Sequence, residues 1–480
     1  LLLRIRYPVG LKTVFLKVTL VAITIGMSLY VGHSVLHPAS IRTLLGLTML
    51  FLTLAISITR PNASIILVMV YLPLLGLIRR ILIPIAGWGS FDPLVLVGPS
   101  VALLTGSYWF YRYLFLREPL LNDTPVFKLV RWMVLIDCVE IVNPRQGSPM
   151  VGIMAIIFYV APLFWMVTAR TVMTERAMKV IIHTVFVMGI VAALYGLKQT
   201  YYGFYPFEND WIAIVKITAL HVGNQYRALS TTDNPQEYAE FLAQSICVGW
   251  LYVLRGNLLA KIYGLVGASV IGWALFMESA RGPLILAAVA IAVLTVMSGK
   301  TPQIKVILGI VVSLVLVGVL VKINHMHSTS NALVEHQIAG ITGQNSTLSG
   351  HISTSFAGIW RGAKSVIGYG LGSTTTAASK FSSANTGTEA DFSNMFVSDG
   401  LAGGIIYLIL MVRMLILAFR VALTRSLIGL FGLGVLLATF EQWINGELYV
   451  TATVVWIAVG YLDRVNADQR YAGPLTANSG

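Results

Sequence analysis

Two short blocks hold the residues best suited to chemistry. In NQYRALSTTDNPQEYAEFLA, Arg227 precedes an Asn-Pro step; in ESARGPLI, Arg281 stands between two apolar runs, close to Glu278. A guanidinium stays charged and offers paired donors that match phosphate oxygens. Two of them at the ends of apolar helices would make a clamp for a pyrophosphate lying at a membrane surface. Arg361, in IWRGAK, is a third candidate for that role. The competing reading is a snorkelling arginine or an internal ion pair, because an unmatched charge at that depth is costly. The segment TEADFSNMFVSDGLAGG places Glu389, Asp391 and Asp399 before or within the start of an apolar run. Any of these carboxylates, or His351, could take a proton from a hydroxyl if its geometry suits. For Asp391 and Ser393 the alternative is a helix N-cap. His325 and His327 form an HxH pair, too few ligands to argue for a metal, and neither metal nor cofactor is expected. His221 and His336 read as solvated loop residues.

The elements that must position these residues are apolar helices. Of 480 residues, 56% are hydrophobic and 11% charged, against roughly 25% charged in soluble proteins. Mean hydropathy is +0.79. So few charges cannot coat a soluble globule of this size, and the chain reads as a polytopic membrane protein. Continuous apolar runs exclude a β-barrel, whose strands alternate at period two. At about 20 residues per crossing, spans are expected near 13–32, 41–59, 64–86, 92–115, 127–142, 149–168, 178–200, 235–254, 258–277, 282–299, 305–323, 398–419, 425–443 and 446–463. That makes about fourteen, with 12–14 plausible; Arg79 and Arg80 interrupt the third, which is expected to be bent or partly re-entrant. The first run lacks a short leader and cleavage site and is expected to stay as an anchor.

The 33 Lys and Arg residues outnumber the 20 Asp and Glu, for a net charge of +13. They are dispersed rather than patched, so nucleic acid is not an expected partner. Under the fourteen-span count Arg60, Arg170, Arg255, Arg420 and Arg464 fall on one side, which the excess of cytoplasmic cations marks as inside. Both termini are then cytoplasmic. Cys138 and Cys247 support no disulfide framework. The expected organisation is N-terminal spans (1–200), an outer loop (201–234), further spans (235–323), a large outer loop (324–397), C-terminal spans (398–464) and a cytoplasmic tail (465–480). Within the large loop, GHISTSFAGIWRGAKSVIGYGLG has Phe356, Ile359, Trp360 and Ala363 at helical spacing, with Arg361 and Lys364 on another face. An amphipathic or re-entrant helix at the outer surface is expected there, ended by the glycines of GYGLG.

Several blocks resemble the O-antigen ligase and polymerase family of bacterial inner-membrane proteins. YRALSTTDNPQEYAEFLA is similar to the family's Arg, Asn-Pro and helix segment, and SARGPLILAAVAIAVL to its Ser-Arg-Gly helix start. IWRGAKSVIGYGLG resembles the Trp and Gly-x-Gly pattern of the large periplasmic loop, and SNMFVSDGLAGGIIYLIL the block that opens the last helices. Together they cover about 225–410; the turn NPRQGSP also resembles the family, whose norm is twelve spans.

The resemblance implies an all-α bundle with a large periplasmic loop and a lipid-carrier, GT-C-like glycosyltransferase architecture. It implies a polymerase of O-antigen or exopolysaccharide that moves a glycan from undecaprenyl diphosphate to a sugar hydroxyl of a lipid-linked acceptor. No metal takes part, and the anomeric centre inverts. Arg227 and Arg281 match the family's diphosphate-holding arginines. The implied partners are the lipid-linked donor and acceptor, membrane lipid and a chain-length regulator. Ligases carry His-Asn where this chain has Ser393-Asn394, which favours a polymerase and leaves Glu389, Asp391 and His351 as candidate bases. Ligase-type transfer, a secondary transporter and a non-catalytic assembly subunit are the alternatives.

Overall fold

The computed structural model describes residues 39–89, 92–116, 124–215, 221–222, 225–311, 332–341, 348–382, 387–388, 390–440, 442–444 and 448–471. The expected span 13–32, the end of 305–323, the His325–His327 pair and Glu389 lie outside the described residues.

Apolar runs bounded by capping residues become helices. α1 (Ala39–Thr59) turns at Arg60 into α2 (Pro61–Tyr71), which a 3-10 turn carries into α3 (Leu75–Ile81) and α4 (Ile83–Ala86). The third expected span is therefore broken rather than straight, with Pro73 and Pro84 removing backbone donors at the breaks. There follow α5 (Val97–Leu116), α6 (Pro125–Glu140) and α7 (Pro149–Ala155), then a π segment (Ile156–Val160) leading into α8 (Ala161–Val172). The long α9 (Glu175–Tyr202) and α10 (Pro206–Val215) precede a two-residue antiparallel pair, β1 (His221–Val222) and β2 (Gln225–Tyr226). Then come α11 (Pro235–Arg255), α12 (Leu258–Glu278), α13 (Arg281–Ser298) and α14 (Pro302–Val311). The large loop holds α15 (Ala332–Ile341), α16 (Leu348–Ala363) and α17 (Thr376–Phe381). The chain closes with α18 (Asp391–Leu423), α19 (Leu427–Ala438) and α20 (Tyr449–Tyr471). Thr124, Thr174, Asn234, Asn257 and Ser426 accept backbone N–H groups at the starts of α6, α9, α11, α12 and α19, satisfying donors a helix start leaves orphaned.

The described chain is all-helical apart from the β pair, and eight helical segments are long and apolar enough to cross a membrane. Length and composition at that level mark a membrane protein. The other expected crossings differ in physical character. α6 has 16 residues and α19 only 12, while α11 brings Glu237, Glu240 and Arg255 into its run. α19 is almost wholly buried, so its partners are helices on every side. Trp165, Phe241, Phe431 and Trp456, from α8, α11, α19 and α20, are fully buried at the centre of the bundle.

Polar contacts gather at the two ends of the bundle. At one, the Asp463 carboxylate takes a hydrogen bond from Thr124 Oγ1 (2.6 Å) and pairs with Arg170 Nε at 3.0 Å, while Arg464 donates to the Met173 carbonyl. Thr174 N donates to Asn62 beside them. The opposite end carries the large loop and every candidate arginine. There α16 packs on α18, with Ile352, Phe356 and Trp360 exposed at four-residue spacing. That apolar face suits a membrane surface. α16 stops at Ala363, ahead of GYGLG; those glycines instead dock on the turn after α6.

Candidate functional site

The turn that presents Arg227 is held by α3 and α9. The buried Arg80 side chain of α3 donates to the Ser230 and Thr232 carbonyls. From α9, Gln199 Oε1 accepts from Leu229 N (3.0 Å) and Ser230 N (2.6 Å). Gly76 allows α3 to come this close, because a Cβ there would collide with the Thr232 carbonyl. Asn234 then caps α11 by accepting from Glu237 N at 2.8 Å, while Asp233 pairs with Arg79 instead. Arg79 shares Asp92 with Arg42, at 2.9 and 2.7 Å, and lies over the rings of Trp88 and Trp211. These are fixed charges in pairs, and their work is to hold the 227–234 segment still.

Arg227 reaches from that segment to the C-terminus of α12. Its Nη2 donates to Glu278 Oε1 at 2.6 Å and its Nε to the Glu278 carbonyl at 3.1 Å. Glu278 is fully buried. The expected internal ion pair therefore exists, but with Arg227, not Arg281, as the partner of Glu278. Ser279 ends α12 in the left-handed region, φ 68°, and Arg281 opens α13 two residues on. α15 lies across this turn. Ser279 Oγ sits 2.9 Å from His336 Nδ1 and 3.0 Å from the Leu333 carbonyl. Arg281 Nη2 donates to the His336 carbonyl at 2.9 Å. Burial, and then the charges of Arg281 and Arg227, hold the His336 imidazole below its ordinary pKa. Arg227 and Arg281 are thus brought to one site around Ser279 and His336. His336 is neither solvated nor in a loop: it is helical and half-buried.

The remaining candidates lie elsewhere. Arg361 is exposed on α16, whose packing partner is α18; among the described residues no hydrogen bond or ion pair joins it to Arg227 or Arg281. His351 sits exposed in the first turn of α16 rather than ahead of it. Asp391 is buried, and its Oδ2 accepts from Ile444 N (2.8 Å) and Tyr407 Oη (3.4 Å). It ties the start of α18 to the segment before α20, and Ala390, not Asp391, is the N-cap. Ser393 is also buried, with its hydroxyl 2.8 Å from the Ala390 carbonyl.

A second polar centre joins Asp399, one of the expected carboxylates, to two acids of α6 that are not among the expected sites. Glu140 accepts from Asn143 Nδ2 (2.6 Å) and Gly368 N (3.0 Å), joining the NPRQGSP turn to GYGLG. Asp137, one turn back on α6, and Asp399 of α18 are buried, and their carboxylate oxygens have no hydrogen-bond partner among the described residues. Asp399 immediately precedes Gly400, whose φ of 69° and ψ of −164° break α18. Acids spaced three apart in a short apolar helix were the available signal for Asp137 and Glu140. Among the described residues no three His, Cys, Asp or Glu side chains lie close enough to hold a metal ion.

The class these features define is an all-helical membrane protein with paired arginines at one end of its bundle. No family model and no curated protein matches this chain.

Proposed function

We propose that the protein is a bacterial inner-membrane polysaccharide polymerase, extending a glycan by transfer from undecaprenyl diphosphate to a sugar hydroxyl of a lipid-linked acceptor. The observation that carries this reading is the meeting of Arg227 and Arg281 at one turn, from positions 54 residues apart (281 − 227) in the chain. The leaving group is already a diphosphate, so the enzyme's tasks are to hold growing negative charge and to orient a hydroxyl. Fixed guanidinium donors in a poorly hydrated site serve the first task. Holding both lipid-linked glycans side by side serves the second, and orientation of this kind lowers a barrier by roughly 7–11 kcal/mol at best. In this reading the chain crosses the membrane about fourteen times in a GT-C-like arrangement, with both termini in the cytoplasm and the arginines on the periplasmic face.

Ligase-type transfer is less favoured: the position corresponding to the ligase histidine is Ser393, buried with its hydroxyl directed at the Ala390 carbonyl. A secondary transporter is the second reading. It is favoured by the break in α18 beside two buried acids, since transporters place coupling sites at interrupted helices.

Reconstitution with a polyprenyl-diphosphate-linked oligosaccharide separates these. Longer lipid-linked glycan is the expected product. Glycan on a different acceptor would mean a ligase, and flux without new glycosidic bonds a transporter.

A further inference from the structure

We infer that His336 is the proton acceptor for the attacking hydroxyl, and that Ser279 is the residue that positions it. This rests on the transfer reaction proposed above. Ser279 Oγ contacts both the Leu333 carbonyl at 3.0 Å and His336 Nδ1 at 2.9 Å. A carbonyl only accepts, so the Ser279 hydroxyl donates to Leu333. Its lone pair then accepts from an Nδ1–H on His336. In a neutral imidazole that leaves the lone pair on Nε2. The left-handed backbone of Ser279, φ 68°, directs its hydroxyl at α15 instead of continuing α12. Strained non-glycine residues of this kind persist where surrounding contacts over-determine them.

The location suits a base. Arg281 donates to the His336 carbonyl at 2.9 Å, and Arg227 is anchored to Glu278, the residue before Ser279. Two guanidiniums near an imidazole favour its neutral form, which is the form able to accept a proton at pH 7. The same two groups would hold the diphosphate, so the base and the leaving-group binder share one turn. In the step, the acceptor hydroxyl oxygen bonds to the anomeric carbon as the bond from that carbon to the diphosphate oxygen breaks. The electron pair of that bond leaves on the diphosphate, and the hydroxyl proton passes to His336 Nε2. The imidazolium then returns its proton to water. Among the described residues, the other ionisable groups at this end of the elements packed against α15 include Glu278, paired with Arg227, and His221 on β1; Glu335 lies exposed on α15 itself.

The test is polymer extension by the purified full chain in proteoliposomes, with fluorescent polyprenyl-diphosphate oligosaccharide as donor. His336→Asn keeps an N–H near the Nδ1 position and removes Nε2. Its extension rate is expected to fall at least about 100-fold, as for loss of a general base, while photo-crosslinking of the donor to the protein stays near the wild-type level. His336→Gln is run in parallel in case one variant fails to insert. Because the His336 imidazole is held below its ordinary pKa, the wild-type rate should be full at pH 7 and decline only on acidification past the ordinary imidazole range, whereas the variants should lose that decline. Ser279→Ala should lower the rate roughly tenfold with an unchanged KM, because the unfixed tautomer and ring orientation reduce the reactive fraction. Wild-type extension with undiminished rate in both His336 variants, or an unchanged acid limb in them, overturns the base. No extension by the wild type overturns the proposed function and the base role with it.

Discussion

At the scale of single residues, the two arginines are not equivalent. Glu278 is fully buried, so Arg227→Ala leaves a carboxylate unmatched in an apolar setting. Arg227 keeps 14% side-chain exposure, which puts the expected destabilisation near the lower end, about 3 kcal/mol, for breaking a buried pair. Both the melting temperature in detergent and polymer formation should fall. Arg281 is half-buried and donates to a backbone carbonyl of α15. Arg281→Ala is expected to leave the melting temperature within a few degrees while abolishing polymer. Arg281→Lys should also be strongly impaired, because an ammonium cannot reproduce a planar fork; full activity in that variant would reduce Arg281 to a charge anchor. Comparing melting curves with polymer length in these three variants separates a folding defect from a loss of phosphate binding.

At the scale of elements, the break in α18 is the feature with the sharpest consequence. Gly400 adopts a backbone conformation that is essentially restricted to glycine, and a Cβ there would press against the Val366 carbonyl. The 365–370 segment lies along this break: Tyr369 N and Gly370 N donate to the Val397 and Ser398 carbonyls, and Leu401 N to the Ser365 carbonyl. Gly400→Ala should cost about 1–3 kcal/mol and loosen that docking, readable as faster proteolysis around 365–370 and as a lowered melting temperature. Unchanged proteolysis would mean the loop is held by the Glu140 and Asn143 contacts alone.

For the whole molecule, the proposed topology places the two polar ends on opposite sides of the membrane. Cys138→Ser and Cys247→Ser remove the native thiols, leaving a background for single cysteines. Lys364→Cys, exposed on the loop side, should react in spheroplasts with a membrane-impermeant maleimide. Arg60→Cys, exposed beside Asn62 at the other end, should react only after permeabilisation. Labelling of both from outside would refute the orientation.

Much of the architecture was legible from local properties. Apolar runs of crossing length marked the helices, because the transfer free energy of a segment into lipid depends on its own composition. Asn234 before Pro235 announced the start of α11, because a cap acts within three residues. Arg79 and Arg80 announced a broken third span, and apolar spacing near Phe356 and Trp360 announced α16. Relations across the chain stayed hidden. Nothing in the residues around Arg227 says that its carboxylate is Glu278, that Arg281 meets the backbone of His336, or that Asp391 is tied to Ile444. These pairings depend on which helix ends meet, and that follows from the packing of the whole bundle, to which every helix contributes. The sequence alone determined the solvent each segment prefers; the tertiary structure decided which charges share a site, because convergence is a property of the path and not of the residues.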